Sequence, residues 1–312
     1  MIEGLAITPP VLGRISIGKV VEKNGKRLPE KDDEFTVTSL VQNRDGWVNN
    51  PMDEVLRTAS NDQKLRSIPV RLMFVEPDLS FRVQFSAFDR KSGRPICSGD
   101  GKTCKRYTSE GIKPLPCPTP EGCDFGSREG CKPYGRLNVQ IEGQDDALAS
   151  FIFRTTGYNS IRTLSARLQY FRALAGDALP CLELSLKLRA KSTTQSHRAP
   201  VYFVDLVARE GVSLEQSLQK AKQDAEARKL AGWDQAALDK AASLGFANGA
   251  FEDSEEDAEA VVEEFFNAGQ SDNATTSPVS TTQGTSTLTD KLKARVGATP
   301  PQATSDQPTT IQ

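Results

Sequence analysis

Short runs in the first two thirds of the chain alternate apolar and polar residues with a period of two, the pattern of half-buried strands. Turn residues between two of these runs, at Glu76–Leu79, predict a hairpin over residues 68–88. The runs cover residues 14–21, 35–38, 68–75, 81–88, 136–142, 148–154, 182–188 and 201–207. We therefore expect a body rich in antiparallel strands.

Helical periodicity appears once inside this strand pattern and twice after it. Asn159 is a candidate N-cap for a helix that ends near Ala175 and repeats apolar residues every three to four positions. Ser213, with Gln216 three residues later, predicts a capping box, and a second short helix follows Asp234. The fold class is α+β, with a mainly antiparallel sheet and one packed helix.

Composition divides the chain into three parts. Residues 1–209 form the α+β body, which contains a cysteine-rich segment at 90–135 that we expect to be a zinc-binding loop insertion. Residues 210–250 form a helical extension, and 251–312 an acidic segment followed by a Ser/Thr-rich tail that we expect to be disordered from residue 270. Residues 252–266 predict a short helix whose apolar side either docks on the body or remains available to a partner. That side comprises Val261, Val262, Phe265 and Phe266.

Charge is distributed unevenly. Residues 1–209 carry 31 Lys+Arg against 24 Asp+Glu, a net of +7, whereas residues 210–312 carry 8 against 17, a net of −9. This asymmetry is typical of a protein with a polyanionic partner, although an ordinary solvated basic face would give the same charge distribution. One hypothesis is therefore a single-stranded DNA-binding or annealing protein whose acidic tail covers an empty groove. The candidate groove residues are Arg154, Arg162, Arg167, Lys187, Arg189, Lys191 and Arg198, with Tyr158, Tyr170 or Tyr202 stacking on bases.

Five of the six cysteines fall within 35 residues, at Cys97, Cys104, Cys117, Cys123 and Cys131. The chain has no long apolar span and no signal-peptide pattern at its start, so we expect a cytoplasmic protein without membrane contact. In a reducing compartment such a cluster favours zinc over disulfides, and uncoordinated thiols are the remaining alternative. Four thiolates would complete the coordination and leave one cysteine surplus.

Catalytic signatures are missing from the sequence. Walker A, GxGxxG, HExxH and GxSxG patterns do not occur. A metal-dependent hydrolase, the remaining enzymatic alternative, would need an acid pair and an open metal position in one cleft. We expect a protein that is not an enzyme.

The segment from Cys117 through Cys131-Lys132-Pro133-Tyr134-Gly135-Arg136-Leu137, followed by Phe151–Ile161, carries a resemblance to a known family. It resembles the recombination directionality factors of large serine integrases, found in phages and mobile elements, over about residues 10–210. The resemblance implies a zinc set of Cys97, Cys117, Cys123 and Cys131, with Cys104 as the fifth candidate. It also implies an accessory protein that binds a recombinase, or alternatively a replication protein, and biases recombination toward excision.

Overall fold

The structure is a computed structural model that describes residues 9–23, 26–44, 46–60, 64–192, 194, 198–248 and 258–267. The prediction of a disordered tail from residue 270 lies outside these residues. No helix in the described ranges is long and apolar enough to span a membrane.

Twelve strands and seven α-helices follow one another along the described chain. The strands are β1 Val11–Lys23, β2 Lys26–Asn43, β3 Gly46–Asn49, β4 Ser67–Arg71, β5 Phe81–Phe88, β6 Pro95–Gly99, β7 Thr103–Thr108, β8 Gly111–Pro116, β9 Lys132–Ile141, β10 Ser150–Thr155, β11 Leu184–Ser192 and β12 Pro200–Ala208. The helices are α1 Pro51–Ala59, α2 Pro77–Ser80, α3 Asp124–Glu129, α4 Tyr158–Ala175, α5 Leu214–Leu230, α6 Gln235–Asn248 and α7 Ala258–Asn267. The predicted α+β class is confirmed.

Strand β9 is the branch point of the sheet. One edge of β9 pairs with β10, and the other pairs with β5 over most of its length and with β4 at Gln140 and Ile141. The main path therefore runs β3-β2-β1-β10-β9-β5-β6-β7-β8, while β4, β11 and β12 branch away from it. Every pairing between the described strands is antiparallel except that of β1 with β10.

The main core lies between the sheet and α4. Leu164 and Leu168 on α4 are buried with Leu186 of β11 and Leu206 of β12, as the helical and alternating spacings predict. The chain continues into α5, whose Ala221 joins the same core. Burial of these aliphatic side chains supplies the main stabilising term of the fold.

The structure corrects two local predictions, the hairpin and one helix cap, and confirms a third. The hairpin over residues 68–88 is wrong, because β4 and β5 both pair with β9 and are separated by α2. The cap at Asn159 is wrong, because Asn159 lies inside α4, which begins at Tyr158 with Gly157 as its N-cap. The capping box is confirmed, since Ser213 and Gln216 each accept a hydrogen bond from the other's backbone N–H at 3.2 Å.

The cysteine-rich segment is not the loop that the sequence predicted. Strands β6, β7 and β8 extend the sheet beyond β5 as a three-stranded meander, and α3 leads back to β9. These three strands are short, and most residues of β8 are exposed. They therefore carry little of the apolar alternation from which strands are predicted. Backbone hydrogen bonding to the edge of an existing sheet holds them instead.

The contact between β9 and α4 at Gly135 can be tested by substitution. A Cβ atom at Gly135 would lie 2.8 Å from two ring atoms of Phe81 and 3.3 Å from Ile161 Cγ1. We expect Gly135→Ala to lower the free energy of unfolding in urea by about 1–3 kcal/mol through overpacking. Gly122→Ala is the control, because its Cβ would meet Pro118 at an ordinary 3.4 Å. Equal stabilities for Gly135→Ala and the native chain would contradict this packing.

Candidate functional site

Five cysteines converge where the meander meets α3. Cys97 lies on β6 and Cys104 on β7, Cys117 directly follows β8, Cys123 caps α3, and Cys131 directly precedes β9. Together with Ala87 of β5 and Phe125 of α3, four of them form a small apolar cluster separate from the main core. Segments far apart in the meander thus meet through thiol-bearing side chains.

The thiols are close enough to influence one another electrostatically. Burial, followed by the neighbouring Cys97, Cys117 and Cys123, raises the pKa of Cys131 to about 12. Burial and then Cys97 raise the pKa of Cys104 to about 11. A group of thiolates in this position would repel one another unless a cation neutralised them.

Cys123 has the opposite environment. The backbone N–H of Gly126 donates to Cys123 Sγ at 3.3 Å, Arg106 Nη2 donates at 3.5 Å, and these contacts lower the pKa of the thiol. A Cβ atom at Gly126 would lie 3.2 Å from Cys131 Cβ and 3.3 Å from Cys123 Cβ. The absence of a side chain at Gly126 is what lets these two cysteines approach each other.

The cluster matches zinc in its donor chemistry but not in a closed ligand geometry. All six cysteines are free thiols, and a set of clustered thiols is the soft donor set that zinc prefers. In the part of the chain that the structure describes, however, no three His, Cys, Asp or Glu side chains are grouped so that they could hold a metal ion. The zinc site therefore stays a prediction.

The meander ends in an exposed hairpin. Tyr107 of β7 and Ile112 of β8 lie directly opposite each other next to the turn, and they are 63% and 42% exposed. Cross-strand pairs of this kind stabilise hairpins, yet here the pair faces solvent. This pair could not be predicted from the sequence, because two apolar residues five positions apart show no relation until the strands are paired.

The predicted basic groove is partly assembled. Lys187, Arg189 and Lys191 lie on the face of β11 opposite its buried leucines, as alternation predicts. Asp205 of β12 accepts hydrogen bonds from Arg189 Nε at 2.8 Å and from Arg167 Nε at 3.0 Å. Burial alone would raise the pKa of Asp205, but these two guanidinium groups outweigh it and lower the pKa below its usual value. Much of the local positive charge is thus already balanced.

The remaining groove candidates are scattered around this centre. Lys187 forms an ion pair with Glu210, and Lys191 Nζ donates to Asn159 Oδ1 at 2.6 Å. The others differ in exposure: Tyr158, Arg162, Tyr170 and Arg198 are exposed, while Tyr202 packs on the main core.

Arg154 does not join this group. It is buried beneath α7, where its Nη1 lies 3.6 Å from Glu264 Oε2. The same face of the sheet also buries Arg14, Arg82 and Arg136, none of which was a predicted binding residue. The available signal was that each of them stands at a polar position of an alternating strand.

The fold defines an α+β protein with an open, mostly antiparallel sheet and a cysteine-bearing extension. Residues 12–209, from β1 to the end of the body, match the family described as Gp3-like, recombination directionality factor-like. The chain belongs to this family, which indicates an accessory role in recombination of phage or mobile-element DNA and is not a known enzyme class. No curated protein and no solved structure matches the chain with significance.

The carboxylate at the centre of the basic group gives a pH prediction. Because the pKa of Asp205 is lowered in the folded state, its stabilising effect is complete above the unfolded value of about 3.9 and is lost as the pH falls through the folded value. We expect Asp205→Asn to lower the free energy of unfolding by about 1–2 kcal/mol at pH 7, allowing for the partial exposure of both arginines.

The difference between Asp205→Asn and the native chain should shrink as the pH falls below about 4, as measured by denaturant unfolding across pH. Glu210→Gln, which removes an exposed ion pair with Lys187, serves as the control and should leave stability unchanged. A pH-independent difference for Asp205→Asn would contradict the ionic origin of the contact.

Proposed function

We propose that this chain is a zinc-stabilised accessory protein that binds a recombinase and biases the direction of recombination. Membership of the recombination directionality factor-like family carries the proposal. The exposed hairpin of β7 and β8 is the surface that we assign to the recombinase.

The hairpin has the chemistry of a protein-docking element. Its tip presents the Tyr107–Ile112 pair, and tyrosine is among the residues that contribute most to protein interfaces. Pro114 and Pro116 on the outer strand lack N–H groups, which discourages uncontrolled strand pairing along this edge. Recognition would then depend on side chains at the tip.

The cysteines fix the base from which the hairpin projects. Cys97, Cys117, Cys123 and Cys131 would hold the zinc ion, which when bound links β6, the end of β8, α3 and the start of β9. The support for this set is the resemblance to the recombination directionality factors, together with the convergence of the cysteines where the meander meets α3. Cys104, whose thiol donates to the Pro116 carbonyl at 3.7 Å, would be the surplus cysteine.

Directionality follows from differential binding. An accessory protein shifts a recombinase toward one synaptic conformation only as far as it binds that conformation more tightly than the other. A rigidly based hairpin favours such discrimination, because less conformational freedom is lost on docking. The chain itself needs no catalytic group for this role.

Binding of DNA by the groove near α4 is the less favoured alternative. Asp205 engages both Arg167 and Arg189, and Glu210 engages Lys187. A strand of DNA would have to compete with these carboxylates for the same cations. The exposed apolar pair on the hairpin favours a protein partner.

The zinc assignment is tested by single substitutions with metal analysis. We expect Cys117→Ser to lose most of its zinc and to unfold at lower denaturant concentration, because a structural zinc site contributes directly to folding. Cys104→Ser should keep its zinc, and so should Cys181→Ser, whose thiol is buried in the main core. A folded Cys117→Ser chain with unchanged zinc content would refute the site.

The docking surface is tested by in vitro recombination with the serine integrase of the same mobile element. We expect Tyr107→Ser/Ile112→Ser to reduce stimulation of excision by tenfold or more, since losing an aromatic anchor costs about 2 kcal/mol. Tyr170→Ser, which removes a tyrosine of equal exposure from α4, should retain the native effect. Full activity of the hairpin variant, with native zinc content, would contradict the assignment.

A further inference from the structure

Four arginines form a row across neighbouring strands on the sheet face opposite α4. Arg82 of β5 lies directly opposite Arg136 of β9, which in turn lies directly opposite Arg154 of β10. Arg14 of β1 is in register with Ile152, on the same face as Arg154. Adjacent strands are about 4.8 Å apart, so the row places one cation on each of four successive strands.

Such a row is costly unless something negative covers it. Like charges directly opposite each other destabilise a sheet, and buried guanidinium groups require polar partners. All four arginines are nevertheless at least nine-tenths buried. Within the body, Arg82 Nη2 donates to Asn138 Oδ1 at 3.1 Å and Arg136 Nη2 donates to Gln84 Oε1 at 2.7 Å. Both of these partners are neutral, so four cations repeated at this spacing also form a surface suited to an anionic ligand.

Helix α7 covers one end of the row. Glu264 lies 3.4 Å from Arg14 Nη1 and 3.6 Å from Arg154 Nη1. Val261 and Phe265 are fully buried, with Phe265 packed edge-on against Phe88 and Tyr134 at ring-centroid distances of 4.8 and 5.6 Å. The docking alternative predicted for the acidic segment is thus confirmed for α7.

The segment that contains α7 is unusually acidic. Eight of the thirteen residues 252–264 are Asp or Glu. Among these acidic side chains the structure describes Glu264, which faces Arg14 and Arg154. A carboxylate beside repeated cations has the charge pattern of an anionic ligand bound to its site.

Aromatic rings accompany the arginines on this face. The Arg14 guanidinium lies 3.4 Å from the ring centroid of Trp47, and the Arg136 guanidinium lies 5.4 Å from that of Tyr134. Arginine planes and aromatic rings on one sheet surface are the groups on which unpaired bases stack while cations contact the phosphates. A sheet surface with these groups suits a single strand, whose bases are unpaired, better than a duplex.

We propose that this sheet face is a binding site for single-stranded nucleic acid and that α7 occupies it as an acidic substitute for the ligand. The site is separate from the cysteine-held hairpin and does not rest on the proposed function. Because α7 and the nucleic acid compete, the apparent affinity equals the intrinsic affinity multiplied by the fraction of molecules in which α7 is released. Release of α7, by a partner or by substitution, uncovers the part of the row beneath it, whereas Arg82 stays beside Phe246 of α6.

The test uses the full chain and a fluorescent 20-nucleotide oligo(dT), with binding followed by anisotropy at several salt concentrations. Two variants release α7 by different means: Glu264→Arg repels Arg14 and Arg154, and Val261→Asp removes an apolar anchor. We expect each variant to bind oligo(dT) about tenfold or more tightly than the native chain, within the usual range of intramolecular coupling. The logarithm of affinity should fall with the logarithm of salt with a slope of about −2, as three phosphate contacts predict.

Second substitutions locate the site. In the Val261→Asp chain, Arg136→Gln should abolish the gain, whereas Arg162→Gln, which removes an exposed arginine of α4, should preserve it. Circular dichroism confirms folding of each chain, and Arg154→Gln replaces Arg136→Gln if the latter unfolds. The hairpin variant Tyr107→Ser/Ile112→Ser should not alter DNA binding, so the two proposals fail independently.

Three results would overturn the proposal. The first is folded release variants that bind oligo(dT) no better than the native chain. The second is loss of the gain with Arg162→Gln but not with Arg136→Gln, which would return DNA binding to the groove near α4. The third is a release variant that binds a synthetic peptide of residues 252–267 but no oligo(dT), which would make the face a site for acidic helices.

Discussion

The pairing of β9 with three other strands is the interaction on which the whole structure depends. It joins β10 and β5 in the main sheet and attaches the β4-β11-β12 branch through its last two residues. Leu137 and Val139 on one face of β9 belong to the main core, while Tyr134 and Arg136 face α7. Cys131, which belongs to the thiol cluster, is the residue immediately before β9. The core, the cysteine-held hairpin and the arginine row are therefore positioned by one strand, and a shift of its register would displace all three.

The two faces of the central sheet are stabilised in different ways. The face toward α4 is filled by aliphatic and aromatic side chains, which need only exclusion from water. The opposite face places buried arginines beside an aromatic cluster, and Arg82 and Arg136 donate to Asn138 and Gln84 within the body. Contacts also come from beyond the body: Glu264 of α7 reaches Arg14 and Arg154, and Phe246 of α6 lies 4.1 Å from the Arg82 guanidinium. The family match ends at residue 209, before both helices begin. The charged face thus connects the family body to the part of the chain that lies beyond it.

Local patterns predicted the elements better than their partners. Alternation gave the bounds of β5 at residues 81–88, and helical spacing gave α4 within two residues. Pairing was not accessible in the same way, because β4 and β5 look like a hairpin locally and only the shared edge of β9 separates them. Strands β6–β8 escaped prediction because edge pairing through the backbone requires little apolar alternation. The cysteines were found by their density alone, whereas Arg82 and Arg136 acquire meaning only once register places them side by side.

Hydrogen–deuterium exchange of the full chain, alone and with the serine integrase of the same element on its attachment sites, tests the central claim most directly. Docking through the cysteine-held hairpin predicts slower exchange of backbone amides in residues 103–116 in the presence of the integrase, because interface amides lose access to water. It predicts unchanged exchange in α4, which packs on the main core and is not part of the hairpin. Unchanged exchange at 103–116 in a complex that forms, or protection confined to α4 and β12, would contradict the account.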